Sequence, residues 1–142
     1  MLPDGTKASR VMKFLLFVGP ANAGKSTLIR GISGCATKGY QGFVEDFLRR
    51  RRVYVFSASP QETGLTAEDY QAALREAVAD QACDTILISV QPTRPYRRLS
   101  MEDCVTLASQ VAPFDFHAFL ITRSHNSGRQ RINVSPIRTR LR

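Results

Sequence analysis

The run Gly19-Pro-Ala-Asn-Ala-Gly-Lys-Ser26 sets two glycines, a lysine and a hydroxyl at the spacing G-x-x-x-x-G-K-[ST], residue types suited to gripping phosphate. Gly19 and Gly24 let the backbone turn tightly and approach phosphate oxygens with no Cβ in the way. The N–H groups of Asn22, Ala23, Gly24, Lys25 and Ser26 would then point at a β-phosphate, assisted by the positive end of a helix dipole. Lys25 would reach the β- and γ-phosphates and act as the catalytic cation, the Ser26 hydroxyl would ligate Mg2+, and Thr27 would complete the nucleotide-binding set. The expected ligand is ATP (or GTP) with its magnesium ion.

Such a loop works only where a buried strand ends and a helix begins, and both flanks are present. The apolar stretch Phe14-Leu-Leu-Phe-Val18 precedes it and Thr27-Leu-Ile-Arg30 follows. Three further apolar runs, Val53 to Ser59, Thr85 to Val90 and Phe116 to Thr122, read as strands covered on both faces. Between them lie two helices. Thr66 caps one that runs through Ala82, with Glu68 and Asp69 in its first turn. Ser100 caps the next, with Glu102 and Asp103 behind it and Cys104, Leu107, Ala108 and Val111 at helical spacing. Alternating strands and helices predict an α/β fold, a three-layer sandwich around a mostly parallel sheet of four or five strands. Residues 1–123 would form the nucleotide-binding domain and residues 124–142 a basic, extended or flexible arm.

Ligands of parallel sheets bind at the carboxyl ends of the strands, and at this end the sequence lacks an expected group. The aspartate that commonly closes a second apolar strand and steadies magnesium is replaced by Ser57. Glu62 is the first substitute as catalytic acid, with Glu45 and Asp46 as further candidates. With none of them in place, Ser26, phosphates and water would hold the ion and hydrolysis would be slow.

The glycine-rich loop and its flanks resemble the P-loop NTPases. The segments Ile86 to Thr93 and Phe119 to Arg123 resemble the late strands of the ParA/MinD-type partition ATPases, a resemblance that implicates Gln91, Pro92, Thr93 and Thr122 near the adenine. It also implies a nucleotide at a homodimer interface. The chain departs from that family's K-G-G-x-G-K-[ST] loop at Pro20, and it has neither the D-x-x-G nor the N-K-x-D of guanine-specific GTPases. A small-molecule or nucleotide kinase is an alternative, with Arg94-Pro-Tyr-Arg-Arg98 serving the transferring phosphate. Another is a nucleotide-gated assembly module that binds without turnover.

The net charge of +8 on 142 residues is unevenly spread. Arg49, Arg50, Arg51 and Arg52 are consecutive, and beyond Asp115 there are arginines, including Arg138 and Arg140, but no acid. These arginines suit a nucleic-acid backbone; an acidic protein or an anionic membrane surface would satisfy the same charges. Phe43 and Phe47, spaced i and i+4, read as anchors of a short helix. His117 reads as a packing residue within a strand, and the two histidines form no metal cluster with the three cysteines. No stretch approaches the roughly 20 apolar residues of a membrane helix, and reduced thiols with no secretory leader predict a cytoplasmic protein.

Overall fold

The structure, a computed structural model, describes residues 11–19, 28–29, 40–46, 50–92, 99–126 and 129–137. They form strands β1 (Met12–Val18), β2 (Gln41–Asp46), β3 (Arg51–Phe56), β4 (Cys83–Val90), β5 (Phe114–Asn126) and β6 (Arg129–Ile137). The helices are α1 (Pro60–Thr63), α2 (Ala67–Ala79) and α3 (Met101–Val111). The strands make one sheet in the order β2-β3-β4-β1-β5-β6. The four strands expected from the apolar runs are present as β1, β3, β4 and β5, all parallel to one another. The edges β2 and β6 pair antiparallel with β3 and β5.

Both faces of the central strands are covered, which is why they read as continuous apolar runs. One face presents Phe14, Leu16, Val18, Tyr54, Phe56, Ile86, Ile88 and Val90 to α2 and α3, which contribute Tyr70, Leu74, Ala77, Cys104, Val105 and Ala108. The other presents Phe17, Val55, Leu87 and Ile121 to Ile29, a helical residue with no exposed surface.

Both helix starts follow their capping residues. The Thr66 hydroxyl accepts the Asp69 N–H, while Ser100 and Asp103 form a reciprocal box with both bonds at 2.9 Å. The expected run of α2 to Ala82 is shorter in the structure and stops at Ala79. The cause is Asp80: its Oδ1 accepts the Ala82 N–H at 2.9 Å and its Oδ2 accepts Arg52 Nη1 at 2.7 Å, so the chain turns toward β4. Burial works against the Asp80 charge, but the Ala82 N–H and Arg52 together hold its carboxyl below the ordinary range. Arg52 also meets Glu45 at 3.2 Å and lies over the Phe43 ring.

Two readings are corrected. Phe43 lies in strand β2 opposite Tyr54, its ring edge-on to that tyrosine at 5.0 Å, and not in a short helix; Phe47 lies outside the described residues. The boundary expected after residue 123 falls inside β5, and residues 129–137 of the expected arm are extended as a paired strand.

The Tyr70 hydroxyl, buried between α2 and α3, donates to the Cys104 carbonyl at 2.8 Å. Tyr70→Phe is expected to lower stability by about 1 kcal/mol in urea denaturation. Burial holds the Tyr70 phenol well above its ordinary range and pushes the Cys104 thiol from 9.0 up to about 12. The folded chain keeps these protons where the unfolded chain releases them, so stability is intact below the unfolded values and falls as pH rises past 9.0 toward about 12. Cys104→Ala should make that alkaline slope shallower by up to about 1.4 kcal/mol per pH unit in denaturation curves; an unchanged slope would refute the assignment. Asp80→Ala should lower the melting temperature more than Glu45→Ala, because Asp80 holds the Ala82 N–H as well as Arg52.

Candidate functional site

β1 enters the sheet between β4 and β5, with Val18 level with Val90 on one side and Leu120 on the other. Gly19, the first glycine of the loop, leaves the carboxyl end of β1 with its N–H donated to the Val90 carbonyl at 3.1 Å. That bond prolongs the β1–β4 ladder by one step and fixes where the chain departs. Gln91 and Pro92 follow β4 and Thr122 lies on β5, so three of the sequence-selected positions, Gly19, Gln91 and Thr122, occupy adjacent strands at one end of the sheet. Gln91 is half-buried, and Pro92 and Thr122 are exposed. Asn22, Ala23, Gly24, Lys25, Ser26, Thr27 and Thr93 lie outside the described residues.

This end of the sheet is a topological switch point. From β1 the chain moves outward to β2 and β3, then returns through β4 and crosses over β1 to β5. Right-handed crossovers in opposite directions put their helices on opposite faces. The side chains follow that rule, with Ile29 packed on one face and α2 and α3 on the other. The reversal falls between the carboxyl ends of β1 and β4, the position at which open parallel sheets take their ligands.

Ser57, at the end of β3, is fully buried. Its N–H and its hydroxyl both donate to the Tyr40 carbonyl, at 2.9 and 3.0 Å, and its own carbonyl accepts the Ser89 hydroxyl at 3.3 Å. The strand-end position expected to carry an acid is thus a structural knot joining β3, β4 and the entry to β2. Sequence reasoning found Ser57 but not Ser89; the only signal of Ser89 was a hydroxyl inside an otherwise apolar run.

The candidate acids separate by position. Glu45 and Asp46 pair across from Arg52 and Arg51, at the start of β3. That is the opposite end of the sheet, about 17 Å from the strand ends at a rise of roughly 3.3 Å per residue. Neither can serve a magnesium ion beside Gly19, which corrects that expectation. Glu62 belongs to α1, which follows β3 at the end of the sheet that holds Gly19, although β4 stands between β3 and β1. Among the described residues, no His, Cys, Asp and Glu side chains group to hold a metal ion.

Of the arginine run, Arg51 Nε meets Asp84 at 3.2 Å and Arg52 is shared by Asp80 and Glu45. Arg50 turns the chain between β2 and β3 at a φ of 54°. Arg49, Arg138 and Arg140 lie outside the described residues. His117 is half-exposed and bonds the Asp115 carboxylate at 2.9 Å, so the expected packing role is replaced by a surface ion-pair geometry near the amino end of β5.

Ser57→Ala should cost about 1 kcal/mol, because the Tyr40 carbonyl keeps the backbone N–H. Ser57→Asp should lower the melting temperature further by burying a carboxylate where a neutral hydroxyl now sits, and should leave any phosphate release no faster. A gain in magnesium-dependent turnover in that variant would show instead that position 57 can face the ion.

Comparison with protein-family models, with curated proteins and with solved structures finds no match for this chain.

Proposed function

We propose that this protein binds a nucleoside triphosphate, ATP, at the carboxyl ends of β1 and β4, and hydrolyses it slowly or only with a partner's help. One observation carries the reading: the glycine that opens G-x-x-x-x-G-K-[ST] leaves β1 at the sheet's switch point, with its N–H tied to Val90. A chance match to the motif would be under no constraint to fall there. The helical residue Ile29, buried on the face opposite α2 and α3, supports a helix after the loop as the third layer of a sandwich.

In this reading the backbone N–H groups of residues 22–26 take the β-phosphate and Lys25 neutralises charge on the β- and γ-phosphates. Ser26 would be the protein's ligand to Mg2+, with Thr27 beside it in the nucleotide-binding set. The donors at the described strand ends fit such an ion only in part. The Ser57 hydroxyl is committed to Tyr40, and neither flanking strand end, Gln91 nor Thr122, carries a carboxylate. Magnesium, when bound with the nucleotide, would screen the phosphate charge; Glu62, the one acid in the sequence from Ser57 to Thr66, would be the residue to orient water. The adenine would lie toward Gln91, Thr93 and Thr122. The half-buried Gln91 and exposed Thr122 on either side of β1 support that placement.

The buried, bonded Ser57 favours a second reading within the same pocket, a nucleotide-gated module whose occupancy changes assembly rather than driving turnover. Calorimetric titration of ATP and GTP with magnesium, paired with phosphate release, separates the outcomes. Wild type should bind ATP in preference to GTP, and Lys25→Ala should weaken binding by about 100-fold. Turnover should be on the order of 10⁻³ s⁻¹ or slower, the range of phosphate-loop proteins without a completed water-activating site. Unchanged binding in Lys25→Ala, or none in wild type, would sink the proposal.

A further inference from the structure

β5 outruns the sheet that it belongs to. Its pairing with β1 ends at Leu120, whereas its pairing with β6 continues to Asn126 opposite Arg129. The core ends at the same level: Ile121 is fully buried and Thr122 is exposed. From Ile121 to Asn126 the two strands form a ribbon that runs about 20 Å past the end of the β1–β5 pairing, at roughly 3.3 Å per residue. It leaves from the same end of the sheet as Gly19.

The register assigns residues to the faces of this ribbon, because directly paired residues share a side and successive residues alternate. One face carries Thr122, Ser124 and Asn126 of β5 opposite Asn133, Arg131 and Arg129 of β6. Every one of those positions is polar, and none is acidic. The chain holds no Asp or Glu from Phe116 to Arg142, so no carboxylate within the hairpin can neutralise its arginines.

We infer that the projecting β5–β6 ribbon is a docking surface for duplex DNA, with the Thr122/Arg129/Arg131 face set against the phosphate backbone and groove. Arginine, asparagine, serine and threonine are the side chains that hydrogen-bond phosphates and base edges, and a two-stranded ribbon fits the major groove, about 12 Å wide. An anionic membrane would satisfy the charge equally, but membrane-surface elements carry apolar or aromatic residues to insert, and this face has none. Arg51 and Arg52 are engaged with acids of their own chain, so the ribbon is a better-placed cationic surface than that pair. The inference stands on the register and charge of the hairpin and is independent of nucleotide binding.

The test is fluorescence anisotropy of a labelled mixed-sequence duplex of about 24 base pairs, titrated with the full chain in a KCl series without nucleotide. Wild type should bind at about 50 mM KCl, with log K falling linearly in log[KCl]. Arg129→Gln/Arg131→Gln should weaken binding about tenfold or more and reduce that slope by about 1.8, whereas Arg129→Lys/Arg131→Lys should keep the slope. Arg138→Gln/Arg140→Gln removes the same charge beyond β6 and should weaken binding less than about threefold. An equal loss in the 138/140 and 129/131 glutamine pairs would overturn the inference. So would tighter binding of a single strand than of duplex, or binding of phosphatidylserine vesicles with no binding of duplex.

Discussion

Parallel strands cannot be joined by tight turns, so each connection among β3, β4, β1 and β5 must cross a face of the sheet. The handedness of those crossings decides which helix covers which face. Because β1 lies between β4 and β5, the chain must first move away from it in one direction and later pass over it in the other. The consequences reach the whole molecule. Two apolar layers are required, met by Ile29 on one side and by α2 and α3 on the other. The end of β1 is left without a helix of its neighbours' hand above it. Gly19 leaves β1 at the point where the direction of the crossovers reverses.

The layer beneath α2 and α3 is tied together by aromatic rings running across the sheet. Phe43 meets Tyr54, Tyr54 meets Phe56, and Phe56 meets Tyr70 of α2, at centroid separations of 5.0 to 5.7 Å. Phe14, Phe114 and Phe116 form a second group at the amino ends of β1 and β5. The first chain extends from the edge strand to a helix, so it couples β2 to the packing of α2, and Tyr70 carries the coupling on to α3 through the Cys104 carbonyl. Arg52 does the same work at the surface, joining Glu45 of β2 to Asp80 at the end of α2. β2 is thereby anchored through one face of its pleat, on which Phe43 and Glu45 lie two residues apart, despite the short apolar content of Gln41–Asp46.

What could be read from the amino acids follows from how each element is stabilised. β1, β3, β4 and β5 are legible because burial on both faces demands apolar residues at nearly every position, and α2 and α3 because Thr66 and Ser100 supply visible caps. β2 was missed because it is an edge: only Phe43 and Val44 are apolar, and the i, i+4 spacing of Phe43 and Phe47 imitates a helix. Its hairpin also lacks the usual glycine signal, Arg50 taking the positive φ instead. β6 escaped for a related reason, since an edge strand tolerates Pro136 and alternating arginines that would disqualify an inner one. At the candidate site, Gly19 and Ser57 could be recognised as strand ends. Strand order could not, because nothing local to Val53–Ser59 or Thr85–Val90 encodes which of them lies against β1.

Charge also distinguishes the end of β1 from the other strand ends. In a parallel α/β sheet every helix that follows a strand points its positive end toward the carboxyl edge, so α2 and α3 are competitors for an anion on geometry alone. Each has met that field with its own acids: Glu68 and Asp69 in α2, Glu102 and Asp103 in α3, with Asp103 closing a capping box on Ser100. The segment after β1 is different. From Gly5 to Val44 the chain contains no Asp or Glu, while Glu45, Asp80 and Asp84 meet Arg51 and Arg52 at the opposite end of the sheet. The helical residues Leu28 and Ile29 that follow β1 have no acid of that kind in the sequence that leads to them.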